Sequence, residues 1–308
     1  MVDYKLKEIF DKGLFRGVIK FDEPMAAHTS LRLGGPAEVM VFPEDLASLQ
    51  NVLHAATGEK IPVFVFGAGT NLLVTDTGIE GVVISLRDFR DVGFTGETDG
   101  SSVVIHAGAG TPLAGILHFA QKNGCSGIEA LAGIPGYLGG AVYMNAGSFG
   151  VEMKDVLVSV TVMNGSGEVS MLGRDKMDFS YRQSNLPEGP VILSADIALG
   201  RDKPEEIAGR MKEFLQRKKN TQPLGEPSAG CVFKNPEGDA AGRLIEAAGC
   251  KGMRTGDVEV SSVHANYFIN KGRAKCADFI GLMEAVKERV REQSGIILEP
   301  EITIVGKK

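Results

Sequence analysis

Apolar positions along the chain change period several times, and each change marks an element. The run "AEVMVF" at residues 37–42 reads as a strand, and "PEDLASLQNVLHAAT" behind it has an early Pro and apolar residues at helical spacing. "IPVFVFGAG" is a short β-rich run that stops at glycine, and "NLLVTDTGIEGVVISL" reads as further strands turning at Thr77 and Gly78. The first 90 residues therefore form one α/β unit. A second unit opens with the strand "SSVVIHAGAG" and the helix "TPLAGILHFAQKNG", which has Pro near its first turn and Gly at its end. "VLVSVTVMNGSGEVSML" pairs as a hairpin across Asn164, Gly165, Ser166 and Gly167, and "GPVILSADIALG" adds another strand. The charged helix "RDKPEEIAGRMKEFLQRKKN" places a boundary near residue 201. After it come a helix at "AAGRLIEAAG", a strand at "HANYFIN", a long amphipathic helix at "KCADFIGLMEAVKERVREQSG" and a strand at "EPEITIVG", which make a smaller α+β domain.

Charge and composition remove several function classes. A formal net charge of -6 argues against a broad phosphate-binding surface, so no nucleic-acid partner is expected and any phosphate must be gripped locally. No apolar run approaches the roughly 18 residues of a membrane span. The opening "MVDYKLKEIFDKG" mixes charges with apolar residues at helical spacing and lacks the pattern of a secretory signal, so a cytoplasmic location is expected. Cys125, Cys231, Cys250 and Cys276 lie far apart without any C-x-x-C, which indicates free thiols and no metal site. A monomer is the expected assembly.

Glycine is the anomaly: 40 of 308 residues, roughly twice the usual share. Two strands end in the same tripeptide, at Gly67, Ala68 and Gly69 and again at Gly108, Ala109 and Gly110. Leu72 and Leu113 stand where a dinucleotide fingerprint needs its third glycine, which disfavours a Rossmann fold. Successive N–H groups, helped by the Thr70 hydroxyl and Asn71 amide, would still make an anion-binding nest; a plain turn is the equal alternative. The segment "GIPGYLGGAVYMNAGSFG" at residues 133–150 has six glycines among apolar residues. Missing Cβ atoms there would let the backbone approach a pyrophosphate, and a short helix starting near Tyr137 would point its positive end at it. Turns between core elements are the bland reading; a nucleotide cofactor is the sharper one.

Taken together and in order, "GAGTNLLV", "IEALAGIPGYLGGAVYMNAGSFG", "FSYRQSNL", "PSAGCVFKNP", "AGRLIEAAGCKG", "HANYFIN" and "LEPEITIVG" resemble the UDP-N-acetylenolpyruvoylglucosamine reductase family from about residue 20 to the end. The resemblance implies an α+β protein: a two-subdomain FAD-binding fold of the p-cresol methylhydroxylase class plus a smaller C-terminal α+β substrate domain, in the family's shorter form. Residues 1–90, joined by the strand at 297–308, would be the first FAD-binding subdomain, 91–200 the second, and 201–296 the substrate domain. The implied activity is NADPH-dependent reduction of the enolpyruvyl group of UDP-N-acetylglucosamine enolpyruvate to UDP-N-acetylmuramate in peptidoglycan synthesis. FAD is expected without a covalent bond, since residues 67–72 contain no His or Cys, although His54, His106 and His118 elsewhere leave a tether open.

By the same resemblance, FAD is held by Gly67, Ala68, Gly69, Thr70, Asn71 and Leu72 and by Gly133, Ile134, Pro135, Gly136, Gly139, Gly140, Asn145 and Gly147. Thr29 and the turn at Gly34 and Gly35 would lie near the adenine or serve structure alone. Arg182 matches the active-site arginine, whose planar fork can meet a carboxylate with two bonds; a buried salt bridge is the alternative. Glu301 matches the catalytic glutamate, with Glu299 as the fallback. Cys231 stands at the proton donor's position, where the commoner family pattern has serine; a thiol gives up its proton far more readily than an alcohol. Tyr181, Lys219, Lys234 and Asn235 are the implied substrate contacts; Lys219 belongs with Arg217 and Lys218 to a basic cluster suited to the UDP diphosphate, a solvated helix end being the alternative. An FAD-dependent oxidase of the same fold and a noncatalytic nucleotide-binding regulator are the rival readings, and the second leaves Arg182, Cys231 and Glu301 unexplained.

Overall fold

The computed structural model describes residues 13–97, 102–186 and 191–307, so the helical pattern read at the N-terminus lies outside the described residues. In chain order the strands of the first half are β1 (Gly17–Pro24), β2 (Pro36–Pro43), β3 (Val63–Phe66), β4 (Leu72–Val74), β5 (Ile79–Ser85), β6 (Val92–Glu97), β7 (Ser102–Gly108), β8 (Cys125–Ser126), β9 (Gly147–Ser148) and β10 (Val151–Glu152). Then come β11 (Leu157–Met163), β12 (Val169–Gly173), β13 (Asp178–Ser180), β14 (Gln183–Asn185), β15 (Val191–Arg201), β16 (Arg254–Thr255), β17 (Val258–Val260), β18 (Phe268–Asn270) and β19 (Thr303–Val305). The helices are α1 (Leu46–Gly58), α2 (Leu113–Lys122), α3 (Leu138–Tyr143), α4 (Pro204–Thr221), α5 (Ala241–Ala247) and α6 (Cys276–Ser294).

Two compact units divide the chain, and their limits differ from the three ranges expected above. One unit takes the described part of Met1–Phe21 with Val39–Ala68 and Gly81–Arg217; the other takes Asp22–Glu38, Gly69–Glu80 and residues 218–307. The reason lies in burial. Leu31, Leu33 and Leu73 are fully or nearly fully buried in one apolar cluster with Phe233, Phe268, Phe279 and Ile302, so two early segments belong with the C-terminal chain. β4 also pairs in parallel with β19, Leu73 opposite Ile304. The division falls inside α4, at Arg217, rather than at its start near residue 201.

The first unit is built on a six-stranded sheet. β15 runs antiparallel to β11 and β7, with Ala195 opposite both Val160 and Ala107, and the path continues to β12 and β6, while β8 also pairs with β15. The hairpin read across residues 164–167 is present, with Met163 opposite Val169. A four-stranded sheet of order β1-β2-β5-β3 carries α1 on its chain path. Helix α1 forms where its apolar spacing predicts: Leu49, Val52, Leu53 and Ala56 are buried, and Asp45 caps its start by accepting the Ser48 N–H at 2.8 Å. That hydrogen bond, helped by Arg16, holds the Asp45 carboxyl below its ordinary pKa.

In the second unit α6 buries Phe279, Leu282, Met283, Val286 and Val290 and ends on Gly295 in the left-handed conformation. Its first turn is capped from 200 residues away, where Asp76 accepts the Cys276 and Ala277 N–H groups at 2.8 and 3.1 Å. The three-stranded sheet β16-β17-β18 packs in the same unit. Among the described residues no helix is long and apolar enough to cross a membrane.

Candidate functional site

The glycine-rich segment of the first unit folds as a turn, a short helix and a second turn. Ile134 donates to the Leu131 carbonyl, the Gly136 carbonyl accepts the Leu113 N–H at 3.0 Å, and α3 starts at Leu138 as the sequence suggested. Two of the helix's first N–H groups are already taken: Leu138 donates to Thr111 and Gly139 to Ala109, at 3.0 and 2.9 Å. Those two N–H groups are thus spent on protein carbonyls and are not available to a pyrophosphate. What the glycines supply is clearance. A Cβ on Gly140 would meet nothing within 4 Å, and one on Gly67 would meet only the Gly140 backbone at 3.8 Å. Two bare stretches of main chain thus lie beside one another, with open room at Gly140, which suits a flat cofactor approached by backbone.

Asn145 closes α3 fully buried and in a left-handed conformation, φ 43°. Its side-chain oxygen accepts the Lys154 N–H at 3.0 Å; its amide donates to Glu152 Oε2 at 2.9 Å and to the Ser180 carbonyl at 3.1 Å. Ser180 and Gln183 face each other in the β13–β14 hairpin, leaving Tyr181 and Arg182 as a two-residue turn. Arg182 also has positive φ, 60°, and its Nη1 donates to the Gly147 carbonyl at 3.1 Å while its guanidinium lies 5.2 Å from the Tyr181 ring centre. Asn145, Gly147 and Arg182 are therefore gathered within this unit.

Cys231 and Glu301 belong to the second unit, on neighbouring extended segments. Cys231 pairs with Tyr267, Phe233 with Pro300, and Glu301 donates its N–H to the Val232 carbonyl at 2.8 Å. Lys234 N donates to the Glu299 carbonyl at 2.8 Å and its Nζ lies 3.6 Å from the Glu299 carboxylate, so Glu299 is engaged with a lysine. Cys231 is half-buried, whereas Cys125, Cys250 and Cys276 are buried free thiols. Burial pushes the thiols of Cys125 and Cys250 up, and burial with the Asp76 charge pushes Cys276 up to about 11.

The loop after Gly69 joins this arrangement. Asn71 Nδ2 donates to the Glu301 carbonyl at 3.1 Å, its own carbonyl accepts the Thr303 N–H at 3.0 Å, and Leu72 stands opposite Thr303. Thr29 is turned inward, its hydroxyl donating to the Leu33 carbonyl at 2.9 Å, and a Cβ on Gly35 would strike the Asp76 backbone. Both positions have a structural explanation. Asn235 gives its side-chain oxygen to the Ala241 N–H, capping α5 at 3.0 Å. Lys219 is exposed, Arg217 pairs with Glu213, and Lys218 is the buried member of the cluster, 3 % exposed.

A supporting residue escaped the sequence reading. Asn266, 1 % exposed, grips Phe233 from both sides: its side-chain oxygen accepts the Phe233 N–H at 2.9 Å and its amide donates to the Phe233 carbonyl at 2.8 Å. It thereby fixes the segment that carries Cys231 and Lys234. His264 orients it in turn, Nδ1 accepting the Asn266 N–H, and burial draws the His264 pKa below its usual value. Only the placement of an Asn among aromatic residues in "HANYFIN" hints at this.

Comparison with known proteins matches both parts of the chain. Residues 37–173 match the FAD binding domain family, and residues 222–305 match the UDP-N-acetylenolpyruvoylglucosamine reductase C-terminal domain. The enzyme of that name from Syntrophus aciditrophicus is 41 % identical over 304 residues, covering 99 % of this chain and 97 % of the relative. The one from Caldanaerobacter subterraneus is 44 % identical over 305 residues, covering 99 % and 98 %. The crystal structure of the Thermus caldophilus reductase superposes with a TM-score of 0.78 at 36 % identity, covering 94 % of this chain and 99 % of that one. With the bare backbone around Gly67 and Gly140 and these full-length matches, the chain belongs to the UDP-N-acetylenolpyruvoylglucosamine reductase family of FAD-containing oxidoreductases that serve peptidoglycan synthesis.

Proposed function

We propose that this enzyme reduces UDP-N-acetylglucosamine enolpyruvate to UDP-N-acetylmuramate with NADPH as the electron source and Cys231 as the proton donor. The observation that carries the reading is the hydrogen-bonded pairing of the Cys231 and Glu301 segments through Val232. Gly67, Ala68, Gly69, Thr70, Asn71 and Leu72, with Gly133, Ile134, Pro135, Gly136, Gly139, Gly140 and Gly147, would hold the FAD; Asn145, expected among them from the sequence, is fully buried with its amide bonded to protein groups and supports them from behind. When bound, FAD supplies hydride to the terminal vinyl carbon of the substrate.

The chain's own groups manage the charge and the proton. Hydride addition pushes negative charge onto the substrate carboxylate, and the permanently charged Arg182 fork meets it with two bonds. Glu301, in its protonated form, donates a hydrogen bond to the enolate-like species. The Cys231 thiol then gives its proton to the carbon beside the carboxylate and is left as thiolate. Tyr181, Lys219, Lys234 and Asn235 bind the rest of the substrate, the cation of Lys219 suiting its diphosphate.

The test is anaerobic reduction of the enzyme with NADPH, then addition of substrate in deuterated water and location of the deuterium. Solvent deuterium on the carbon bearing the ether oxygen is expected, whatever the terminal carbon also takes up by exchange at the flavin, with NADPH consumed steadily only when the enolpyruvyl substrate is present. Cys231→Ala should keep NADPH-driven flavin reduction and lose turnover, and Cys231→Ser should keep substantial activity. Full turnover by the alanine variant would remove the thiol from the mechanism.

A further inference from the structure

A two-residue hairpin turn whose second residue has positive φ ordinarily puts Gly or Asn there, because any larger L-residue pays in steric strain. Here Arg182 occupies that place at φ 60°, and Asn145, 37 positions earlier, is also left-handed at φ 43°. Strain of this kind persists where the surroundings over-determine it. The surroundings are specific. Asn145 Nδ2 holds the Ser180 carbonyl at 3.1 Å, Ser184 Oγ donates to the Tyr143 carbonyl at 2.7 Å, and Arg182 Nη1 donates to the Gly147 carbonyl at 3.1 Å. Both strands of the hairpin and the arginine itself are thus tied to the end of α3 and the turn behind it.

The centre of these ties is Asn145, which is fully buried. Asn145 makes three side-chain hydrogen bonds, to Lys154 N, Glu152 Oε2 and Ser180 O, so its amide is committed to protein groups. Glu152 is held in turn by Lys154 Nζ at 2.7 Å, which keeps the acceptor in place. An asparagine is suited to this position: it tolerates the left-handed conformation and carries both a donor and an acceptor.

We propose that Asn145 is a positioning residue for Arg182: its amide anchors Ser180, fixes the hairpin turn in its strained form, and so sets where the guanidinium stands. The proposal rests on the reading that Arg182 receives the substrate carboxylate. It predicts that the two residues act as one unit rather than additively.

The experiment is a double-mutant cycle on the flavin-containing enzyme, with Asn145→Gly, Arg182→Ala and the combination. Glycine leaves the left-handed backbone comfortable, so its effect reports the lost amide. The readouts are kcat and KM per bound flavin, and substrate affinity by calorimetry, which needs no turnover. Asn145→Gly should lower kcat/KM about 10–100-fold, the scale of a misplacement near one ångström. In the Arg182→Ala background it should cost less than about twofold in both readouts. Losses that multiply across the cycle, or an Asn145→Gly enzyme with full activity, overturn the proposal. If Arg182→Ala alone retains full kcat/KM, the assignment of the arginine itself has failed and the proposal goes with it. Should Asn145→Gly not retain flavin, Asn145→Asp enters the same cycle. It preserves shape and the acceptor for Lys154 N but, ionised, cannot donate to Ser180; the same outcomes decide.

Discussion

The two Gly-Ala-Gly tripeptides have the same sequence and opposite uses of their main chain. Around residues 108–111 every N–H finds a protein carbonyl: Gly108 donates to Asp91, Ala109 to Leu193, Gly110 to Phe89 and Thr111 to Gly108. A Cβ on Gly108 or Gly110 would collide with the backbone of Phe89 or of Leu86 and Arg87. The carbonyls of Ala109 and Thr111 then receive the first N–H groups of α3, so this tripeptide is the mount on which the glycine-rich helix sits. Among the described residues the turn at 67–69 is tied differently, through its last carbonyl, with Gly69 O accepting the Ser30 N–H at 3.1 Å. Gly67 faces only bare backbone, and Gly69 alone is hemmed in, by the His28 carbonyl. Whether a glycine turn can take a ligand is decided by where its N–H groups already go, which the tripeptide itself does not encode.

That contrast can be broken by substitution. The largest effect should come from Gly110→Ala: overpacking against fixed backbone should cost about 3 kcal/mol in urea unfolding of the flavin-free protein. A fully stable Gly110→Ala protein would mean the mount is slack. Gly140→Ala should do the reverse. Alanine favours helix by up to about 1 kcal/mol, so the flavin-free protein should be as stable or more so, while FAD affinity falls at least about tenfold, or about 1.4 kcal/mol. Unchanged FAD affinity would show that the clearance beside Gly140 is not where flavin lies. Thr111→Val should remove the bond from its buried hydroxyl to the Asp91 carbonyl, 3.0 Å, and cost about 1 kcal/mol of stability with FAD affinity retained.

The smallest expected effect extends the contrast to thiols. Iodoacetamide at pH 8 should label half-buried Cys231 several-fold faster than Cys276, which is 2 % exposed. The Cys276 pKa is raised from 9.0 to about 11, so folding favours its neutral form. That contribution is complete below pH 9 and drains away as pH rises through about 11, where the unfolded chain has long since released the proton. Relative to Cys276→Ala, the natural protein should therefore lose stability across that window in urea titrations. Parallel curves would show that the thiol does not titrate as its burial implies.

Much of the fold was legible because apolar spacing records burial. The strand and helix at residues 36–58, the hairpin on residues 164–167, α2 and α6 all follow from it. Other elements left no such trace. β1 is exposed along much of its length, so "GVIKFDEP" shows no apolar alternation. β13 and β14 are short and polar, and their importance came from the match around Arg182 rather than from periodicity. "HANYFIN" and "EPEITIVG" were read as longer strands than Phe268–Asn270 and Thr303–Val305, because the segments before them are held by side chains and isolated bridges instead of ladders. Asn266 and Asn145 were hardest to read as structural, since a buried amide and a surface amide look alike in sequence.

The assembly of the second unit from Asp22–Glu38, Gly69–Glu80 and the C-terminal stretch has a consequence for biogenesis. On the ribosome, Leu31, Leu33 and Leu73 emerge roughly two hundred residues before Phe233, Phe268 and Ile302, the partners that shield them. Until translation is nearly finished those early leucines have no native shelter, which makes the nascent chain a candidate client for holding chaperones and a poor tolerator of premature termination.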